Sequence, residues 1–251
     1  MGQTSLQQEP DRKKVSLPQA IEIALKNNIG QKIAGFETER EKALLKGAVN
    51  LAKTDFLFSQ GNINSQERDN SFNLTQRLAF PTLYGSQKKL AQARIESSQL
   101  SQAVRSNELI RDVKSAYNRL VYFKAKGLLL ADQDSIYSAL MKASDLRYQA
   151  GATGQLERAT SAAQAMEIKN LMRQNDADIS ISVQQLQTLL NTNELITSAD
   201  GSLSKLTLDL TMADSSALEK SPVLQYLKQQ IAVSEQQLQV EKQKKLPELV
   251  L

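Results

Sequence analysis

The sequence contains no cysteine, no histidine and no tryptophan, and aromatic residues make up only 5% of its 251 residues. Without cysteine there is no disulfide framework, no thiolate chemistry and no lipidated Cys, and any redox compartment is compatible. Without histidine the commonest general base and the commonest transition-metal ligand are both missing. The sequence also has no Gly-rich phosphate loop and no Gly-x-Ser-x-Gly nucleophile elbow. These absences predict a protein that is not an enzyme and has no cofactor or metal site.

Long apolar runs are missing as well. No stretch of about 20 apolar residues is present, so no segment is expected to cross a bilayer as a helix. Residues 1–14 are polar and charged, predict a disordered lead-in, and lack the basic and apolar regions of a signal peptide. We therefore expect that an export signal has been removed, or that this segment follows another in a longer chain.

The net charge of +4 is spread thinly. The densest basic runs, residues 12–14 and 242–245, contain no aromatic residue. They are typical of solvated helix faces, and no nucleic-acid partner is predicted.

The sequence does contain helical periodicity on a large scale between Tyr84 and Asn191. Gly151 and Gly154 are the strong breaker signal there, so two very long helices should reverse direction at them. At about 1.5 Å per residue the first helix would be on the order of 100 Å long, which favours a coiled-coil assembly or a helical conduit. Its narrow apolar seam suggests that the chain borrows core from copies of itself. The apolar residues recur at helical spacing: Val113, Ala116, Leu120, Ile136, Leu140, Ala143 and Leu146, then Ile179, Val183, Leu186 and Leu190.

Two shorter helices are predicted within residues 17–52. Ser16 is the candidate N-cap of the first and Pro18 lies in its first turn. The first helix should end near residues 27–28, and the second should run from about Gly30 to Leu51. The seam predicted for the second helix consists of Ile33, Phe36, Ala43, Leu44 and Ala48.

The period changes from helical to two between residues 55 and 80, which predicts a β-hairpin with a polar turn. Phe56 and Phe58 alternate with polar or smaller residues in its first half. In its second half one apolar face is interrupted by Gln76. Strands of about ten residues with one apolar face suit a membrane β-barrel, whereas the alternative is a hairpin packed on a soluble core. The residues predicted to face lipid are Phe72, Leu74, Leu78 and Phe80.

The remaining chain divides into an irregular connector and a partial repeat. Residues 192–216 are predicted to be the connector, in which residues 206–210 alternate as a small strand or a loop would. From residue 217 the opening pattern returns with an offset of about 193 to 195 residues, counted along the printed sequence. Residues 217–251 are therefore predicted to be the first helix of a truncated second repeat, and the chain is expected to be incomplete.

These segments together resemble the TolC-like outer membrane factor family of bacterial efflux channels. Residues 16–28 (SLPQAIEIALKNN) resemble the opening motif of that family, and residues 146–151 (LRYQAG) resemble its tip motif. Residues 246–249 (LPEL) resemble its junction between helix and strand. Residues 62–66 with residues 80–84 are similar to the heavy-metal efflux branch, in which this domain can be fused behind an inner-membrane RND transporter.

The resemblance implies a mainly α fold: very long antiparallel, coiled-coil-like helices with one β-hairpin, forming half of a TolC-like repeat pair. Residues 15–191 would be the first repeat, with helices over 17–52, the hairpin over 55–80 and the helical hairpin over 84–191. The complete protein would be a homotrimer in the outer membrane and periplasm, contacting outer-membrane lipid. It would work with a periplasmic adaptor (membrane fusion) protein and an RND transporter.

By the same resemblance, the turn over residues 147–156 would dock on the adaptor. Its docking residues would be Arg147, Tyr148, Gly151, Gly154 and Leu156. A different class of function stays open at this point, namely a soluble coiled-coil scaffold that shares only the helical periodicity.

Overall fold

The computed structural model describes residues 13–49, 51–61, 69–201 and 220–250. The predicted run 206–210, most of the predicted lead-in and the motif at 62–66 lie outside these residues. The described chain forms two compact units, one made of residues 13–29 with 106–201 and the other of residues 30–105 with 220–250. Its elements in order are β1 Lys13–Val15, α1 Leu17–Asn27, α2 Ile29–Lys46, β2 Asp55–Gly61, β3 Asp69–Thr75, β4 Arg77–Leu78, α3 Pro81–Gln149, α4 Gln155–Leu190, β5 Ile196–Ser198, α5 Pro222–Gln243 and β6 Leu249–Val250.

The core of the first unit lies where α1 packs on the C-terminal half of α4 and on α3. Apolar residues at steps of three and four place one face of each helix in this core. α1 begins where the sequence predicts, because the Ser16 amide donates to Gln19 Oε1 at 3.0 Å. The buried members are Val15, Ala20, Ala24, Leu109, Val113, Ala116, Tyr117, Leu120, Val121, Leu186, Leu190 and Ile196.

A short parallel sheet joins the two ends of this unit. β1 pairs with β5, with Lys13 opposite Ile196 and Val15 opposite Ser198. Lys13 and Lys14, which were predicted to belong to the disordered lead-in, therefore lie in a strand. The physical reason is that Val15 is buried in the core and its carbonyl accepts from the Ala199 amide at 3.0 Å.

The C-terminal ends of α1 and α4 satisfy each other's backbone carbonyls. Asn28 Nδ2 donates to the Leu189 carbonyl at 3.0 Å, and Asn191 Nδ2 donates to the Asn27 carbonyl at 3.2 Å. Asn191 has φ +49°, a left-handed conformation that asparagine tolerates at a helix end. The side chains of Asn28 and Asn191 thus have a structural role that the sequence motif alone does not reveal.

Nearer the turn, α3 and α4 bury mostly small or polar side chains. Along this part of the seam the buried small or polar residues are Ser144, Ser161, Ala165 and Asn175. Among the described residues nearer the turn, Leu130 is the one large apolar side chain that is buried. The predicted apolar stripe is not the face that packs on α4 here, since Ile136 is 66% exposed in the single chain. The helices approach through small residues, and the larger stripe faces outward: Ile136, Leu140, Ala143 and Leu146.

In the second unit, too, small residues are buried on the helix while large apolar residues are exposed. Ala34 and Thr38 are the buried residues of α2, and the Thr38 hydroxyl lies 3.0 Å from that of Ser98 on α3. The predicted α2 seam is wrong because Phe36 is 74% exposed and Ile33 and Leu44 are also exposed. α2 ends at Lys46, just before Gly47 and earlier than the predicted residue 51. A small core forms from Leu83, Leu90 and Val240, with Ala79 and Val233 against it.

Two short antiparallel pairings complete the second unit. β2 and β3 form the predicted hairpin, whereas β4 pairs with β6, so that Leu78 lies opposite Leu249. The second strand is interrupted at Gln76 instead of continuing to Phe80. Gln76 Nε2 donates to the Ala52 carbonyl at 2.9 Å, and the Thr54 hydroxyl donates to Gln76 Oε1. These hydrogen bonds satisfy the side-chain amide of Gln76, which would otherwise interrupt the apolar face without a partner.

Candidate functional site

The turn between α3 and α4 is built by two backbone hydrogen bonds. The Ala152 amide donates to the Arg147 carbonyl at 2.8 Å, and the Gly151 amide donates to the Tyr148 carbonyl at 3.0 Å. This is a Schellman motif, in which the residue after the helix end adopts a left-handed conformation. Gly151 has φ +70°, and a Cβ there would meet no atom within 4 Å. The predicted reversal at the two glycines is confirmed, with Gly154 as the extended N-cap of α4.

Two ion pairs tie the helix ends together beside the turn. Arg147 Nη1 lies 3.4 Å from Glu157 Oε1, and Arg158 Nε lies 2.7 Å from Asp145 Oδ1. The Arg158 guanidinium carbon also lies 5.0 Å from the centre of the Tyr148 ring, within cation–π range. Because these groups are partly exposed, each pair adds little to stability but orients its side chains.

The turn presents an apolar side chain that the fold does not use. Leu156 is 81% exposed, and Tyr148, with Arg158 over its ring, is 36% exposed. The five residues predicted as the docking tip, Arg147, Tyr148, Gly151, Gly154 and Leu156, all lie in or beside this one turn. We call this set the tip.

Sequence reasoning missed three residues that orient the tip: Asp145, Glu157 and Arg158. A signal for them exists in the sequence. Opposite charges stand at nearly equal distances on the two sides of the turn, where antiparallel helices place them side by side.

The β2–β3 hairpin carries a second candidate surface. Its register places Phe56 opposite Leu74 and Phe58 opposite Phe72, so these four side chains share one face. The Phe58 and Phe72 rings have centres 4.9 Å apart. All four residues are exposed, so no other part of the described unit covers this face of the hairpin.

The four residues predicted to face lipid do not form one continuous strand face. Phe72 and Leu74 lie together on β3, whereas Leu78 belongs to the β4–β6 pairing and is half-buried. Phe80 follows the last strand residue and is exposed. Phe56 and Phe58 were missing from the predicted face, although the same period-two alternation in the first strand indicates them.

Two further properties concern the described residues only. Within them, no group of three or more His, Cys, Asp or Glu residues could hold a metal ion. No helix in residues 13–49, 81–201 or 220–250 has the length and apolar character needed to cross a membrane.

No protein-family model and no curated protein sequence matches this chain. Solved structures do match it at low sequence identity. The outer-membrane channel OprN is 17% identical with a TM-score of 0.79, over 93% of this chain and 57% of that one. CusC, whose transmembrane channel formation was studied by crystallography, is 14% identical with a TM-score of 0.76, over 98% of this chain and 61% of that one. The Campylobacter jejuni CmeC outer membrane channel is 16% identical with a TM-score of 0.68, over 98% of this chain and 59% of that one.

These likenesses confirm the predicted fold. The chain has the TolC-like fold of outer membrane channels, mainly α with very long antiparallel helices and short strands. It spans about three fifths of the length of the three solved channels. All three of these solved structures are described as channels.

Proposed function

We propose that this chain is part of an outer-membrane and periplasmic channel in a tripartite efflux system, acting as a passive conduit. The observation that carries the proposal is the fold, since solved outer membrane channels match 93–98% of the chain. A soluble scaffold would not need a hairpin with an uncovered aromatic face at one end of such helices.

The outward apolar stripes support assembly with further helices of the same kind. Ile136 and Leu140 on α3, and Phe36 on α2, are large and exposed within the described chain. Exposed apolar stripes of this length usually mark interaction surfaces. In the complete protein they would pack on neighbouring repeats and copies, and the assembly would be a homotrimer.

The hairpin face would contact outer-membrane lipid. Phe56, Phe58, Phe72 and Leu74 point to one side, and polar residues such as Asn73 occupy the other. Lipid on one side and water on the other would stabilise such an arrangement.

The tip would dock on a periplasmic adaptor protein, which would connect the conduit to an inner-membrane RND transporter. Leu156 supplies an exposed apolar contact, and the ion pairs hold Arg147 and Tyr148 in place. The proposal that the cargo is heavy-metal cations rests on the sequence resemblance at residues 62–66 and 80–84.

Membrane association can be tested with a matched pair of hairpin variants. Leu74→Lys places a charge on the apolar face, and Asn73→Lys places the same charge on the opposite face. A charge facing lipid costs about 2–4 kcal/mol at the bilayer midplane, so Leu74→Lys should reduce flotation with phosphatidylethanolamine–phosphatidylglycerol vesicles while Asn73→Lys should not. If the unaltered chain never floats and is a stable soluble oligomer by light scattering, the scaffold function replaces the channel.

Docking at the tip can be tested separately. Gly151→Pro and Arg147→Glu should weaken crosslinking to the adaptor in bacteria that produce the whole channel, with helix content by circular dichroism unchanged. Unaltered crosslinking in both variants would remove the docking assignment and leave the membrane assignment standing.

A further inference from the structure

The seam between α3 and α4 contains one buried amide far from the turn. Asn175 is 1% exposed, and its Nδ2 donates to the Phe123 carbonyl of α3 at 3.0 Å. Its Oδ1 is buried and accepts no hydrogen bond from the described protein atoms. A half-satisfied buried amide costs free energy, so a gain in stability does not explain asparagine at this position.

Gly127 makes this contact possible. It lies one helical turn after Phe123, and a Cβ at position 127 would stand 3.1 Å from Asn175 Nδ2. That is closer than ordinary side-chain contacts allow without a shift. The bare Cα of Gly127 therefore leaves the space through which the amide reaches the Phe123 carbonyl.

In the described chain, none of the other buried polar side chains of the seam forms a hydrogen bond between the two helices. The Ser161 hydroxyl donates to the Arg158 carbonyl and the Ser182 hydroxyl donates to the Asp178 carbonyl, both within α4, and Ser144 Oγ has no hydrogen-bond partner among the described protein atoms. Small side chains such as Ala165 and Ser144 interdigitate weakly, so they resist a slip of one helix past the other less than large knobs do. The buried bond from Asn175 to Phe123 is therefore the contact here that distinguishes one axial register from the next.

We propose that Asn175 and Gly127 form a register lock that fixes how the parts of α3 and α4 nearer the turn pack and so positions the turn between them. This inference rests on helix packing alone and does not depend on adaptor docking. A buried asparagine that selects register in helical pairs is a known device, and it acts by making wrong registers costly. Here a slip by one turn would place Asn175 beside a residue that carries a side chain instead of beside Gly127, and the Cβ of that residue would obstruct the approach of the amide to the main-chain carbonyl.

The absence of cysteine allows a direct test on the full chain by spin labelling. Labels at Asp132→Cys on α3 and Gln164→Cys on α4 occupy exposed positions that are staggered along the hairpin. With the lock intact, pulsed electron spin resonance should give one narrow distance. Asn175→Leu has a similar branched shape and no polar atom, so it should keep or raise the melting temperature while adding a second distance population, shifted by up to about 5 Å for a slip of one turn.

Two further variants make the result decisive. Gly127→Ala leaves Asn175 in place and only obstructs its reach, so it should add the same second population. Ser182→Ala removes a buried hydroxyl bonded within its own helix and should leave the distance unchanged. If Asn175→Leu and Gly127→Ala both retain the single distance of the unaltered chain, or if Ser182→Ala broadens it as much as they do, the register lock is wrong. Should Asn175→Leu fail to fold, the comparison of Gly127→Ala with Ser182→Ala decides alone.

Discussion

The central and distal sections of the α3–α4 pair belong to the same two helices but are stabilised differently. In the central section, around residues 109–121 and 179–190, the buried side chains include Tyr117, Leu120 and Leu190. In the distal section, from residue 124 to the tip, the buried side chains are mainly serine, alanine and asparagine. Length and helical periodicity are continuous across the boundary, so helix formation alone does not explain the difference.

In a long helical hairpin of this kind, one section can supply most of the stability while another positions the turn. Burial of apolar surface contributes about 25 cal/mol per Å², which favours the central section because its buried side chains are larger. The distal section gains less from burial and depends on helix propensity, the Schellman turn and close approach through small residues. We therefore expect the distal end to open locally at lower free energy than the centre.

Polar contacts also concentrate near the centre, where they attach the β1–β5 sheet to α3. The Tyr117 hydroxyl lies 2.7 Å from Asp200 Oδ2 and 3.1 Å from the Val15 carbonyl. Lys124 Nζ lies 3.0–3.1 Å from Thr197 Oγ1 and the Ser198 carbonyl. These bonds anchor both chain segments that flank the helices, so the centre is the fixed point of the first unit.

Truncating a central core residue should have the largest effect. Leu120 has no exposed surface, so Leu120→Ala should lower the free energy of unfolding by about 2–5 kcal/mol through lost burial and a residual cavity. Leu140→Ala, on the outward stripe of the distal section, should change it by less than about 0.5 kcal/mol. Urea denaturation followed by circular dichroism measures both, and equal losses would contradict the proposed concentration of stability in the centre.

Removing the Tyr117 hydroxyl should have the next largest effect. Tyr117→Phe removes the hydroxyl that donates to the Asp200 carboxylate, and because Asp200 itself is exposed the loss should lie near the lower end of the range of about 1.5–3 kcal/mol that bonds to charged groups contribute. The same denaturation assay should show a loss in this range with helix content unchanged. A loss no larger than that of an exposed tyrosine such as Tyr122→Phe would show that the anchor contributes nothing.

The same hydroxyl predicts alkaline sensitivity. Burial, reinforced by the hydrogen bond to Asp200, raises the pKa of Tyr117 to about 12. In the unfolded chain tyrosine titrates near about 10, so the folded state holds the proton more tightly. The resulting stabilisation is complete below pH of about 10 and is lost as pH rises towards about 12. Across that window the unaltered chain should lose stability more steeply than Tyr117→Phe, and parallel curves would contradict the shift.

Sequence periodicity predicted the elements well but did not tell which faces of α2 and α3 pack within the chain. The glycine pair located the turn, and the period-two run located the hairpin, because both signals are local. The distal seam was missed because periodicity favours the largest apolar stripe, Ile136 and Leu140, whereas the helices pack through Ser144 and Ala165. Single-sequence patterns do not tell whether a stripe faces its own hairpin or another chain. Long-range partners such as Phe123 for Asn175 have no local signal at all.

A backbone change at the tip should cost less than the central substitutions. Gly151→Ala places a Cβ in open space, so the cost comes only from the left-handed conformation and should be about 1–2 kcal/mol. Gly85→Ala is the matched control, since position 85 lies inside α3 with equally open surroundings and should gain about 0.5–1 kcal/mol. Thermal unfolding by calorimetry measures both. If strain at the turn, and not crowding, explains the glycine, the changes in stability caused by Gly151→Ala and Gly85→Ala must have opposite signs.

The smallest effect on stability is expected at the ion pair beside the turn. Arg158 and Asp145 are partly exposed, so Arg158→Ala should cost only about 0.2–1 kcal/mol of global stability. Its local effect should be greater, because Arg158 also covers one face of the Tyr148 ring. Hydrogen exchange of the amides at 150–158 should therefore accelerate while exchange at the central core stays unchanged. The exchanged-charge variant, Asp145→Arg with Arg158→Asp, restores the ion pair but loses the contact with Tyr148. If the exchanged-charge variant recovers slow exchange, the ion pair orders the tip. If it does not, the cation–π contact does. Accelerated exchange that extends to the central core would instead show that the two sections open as one.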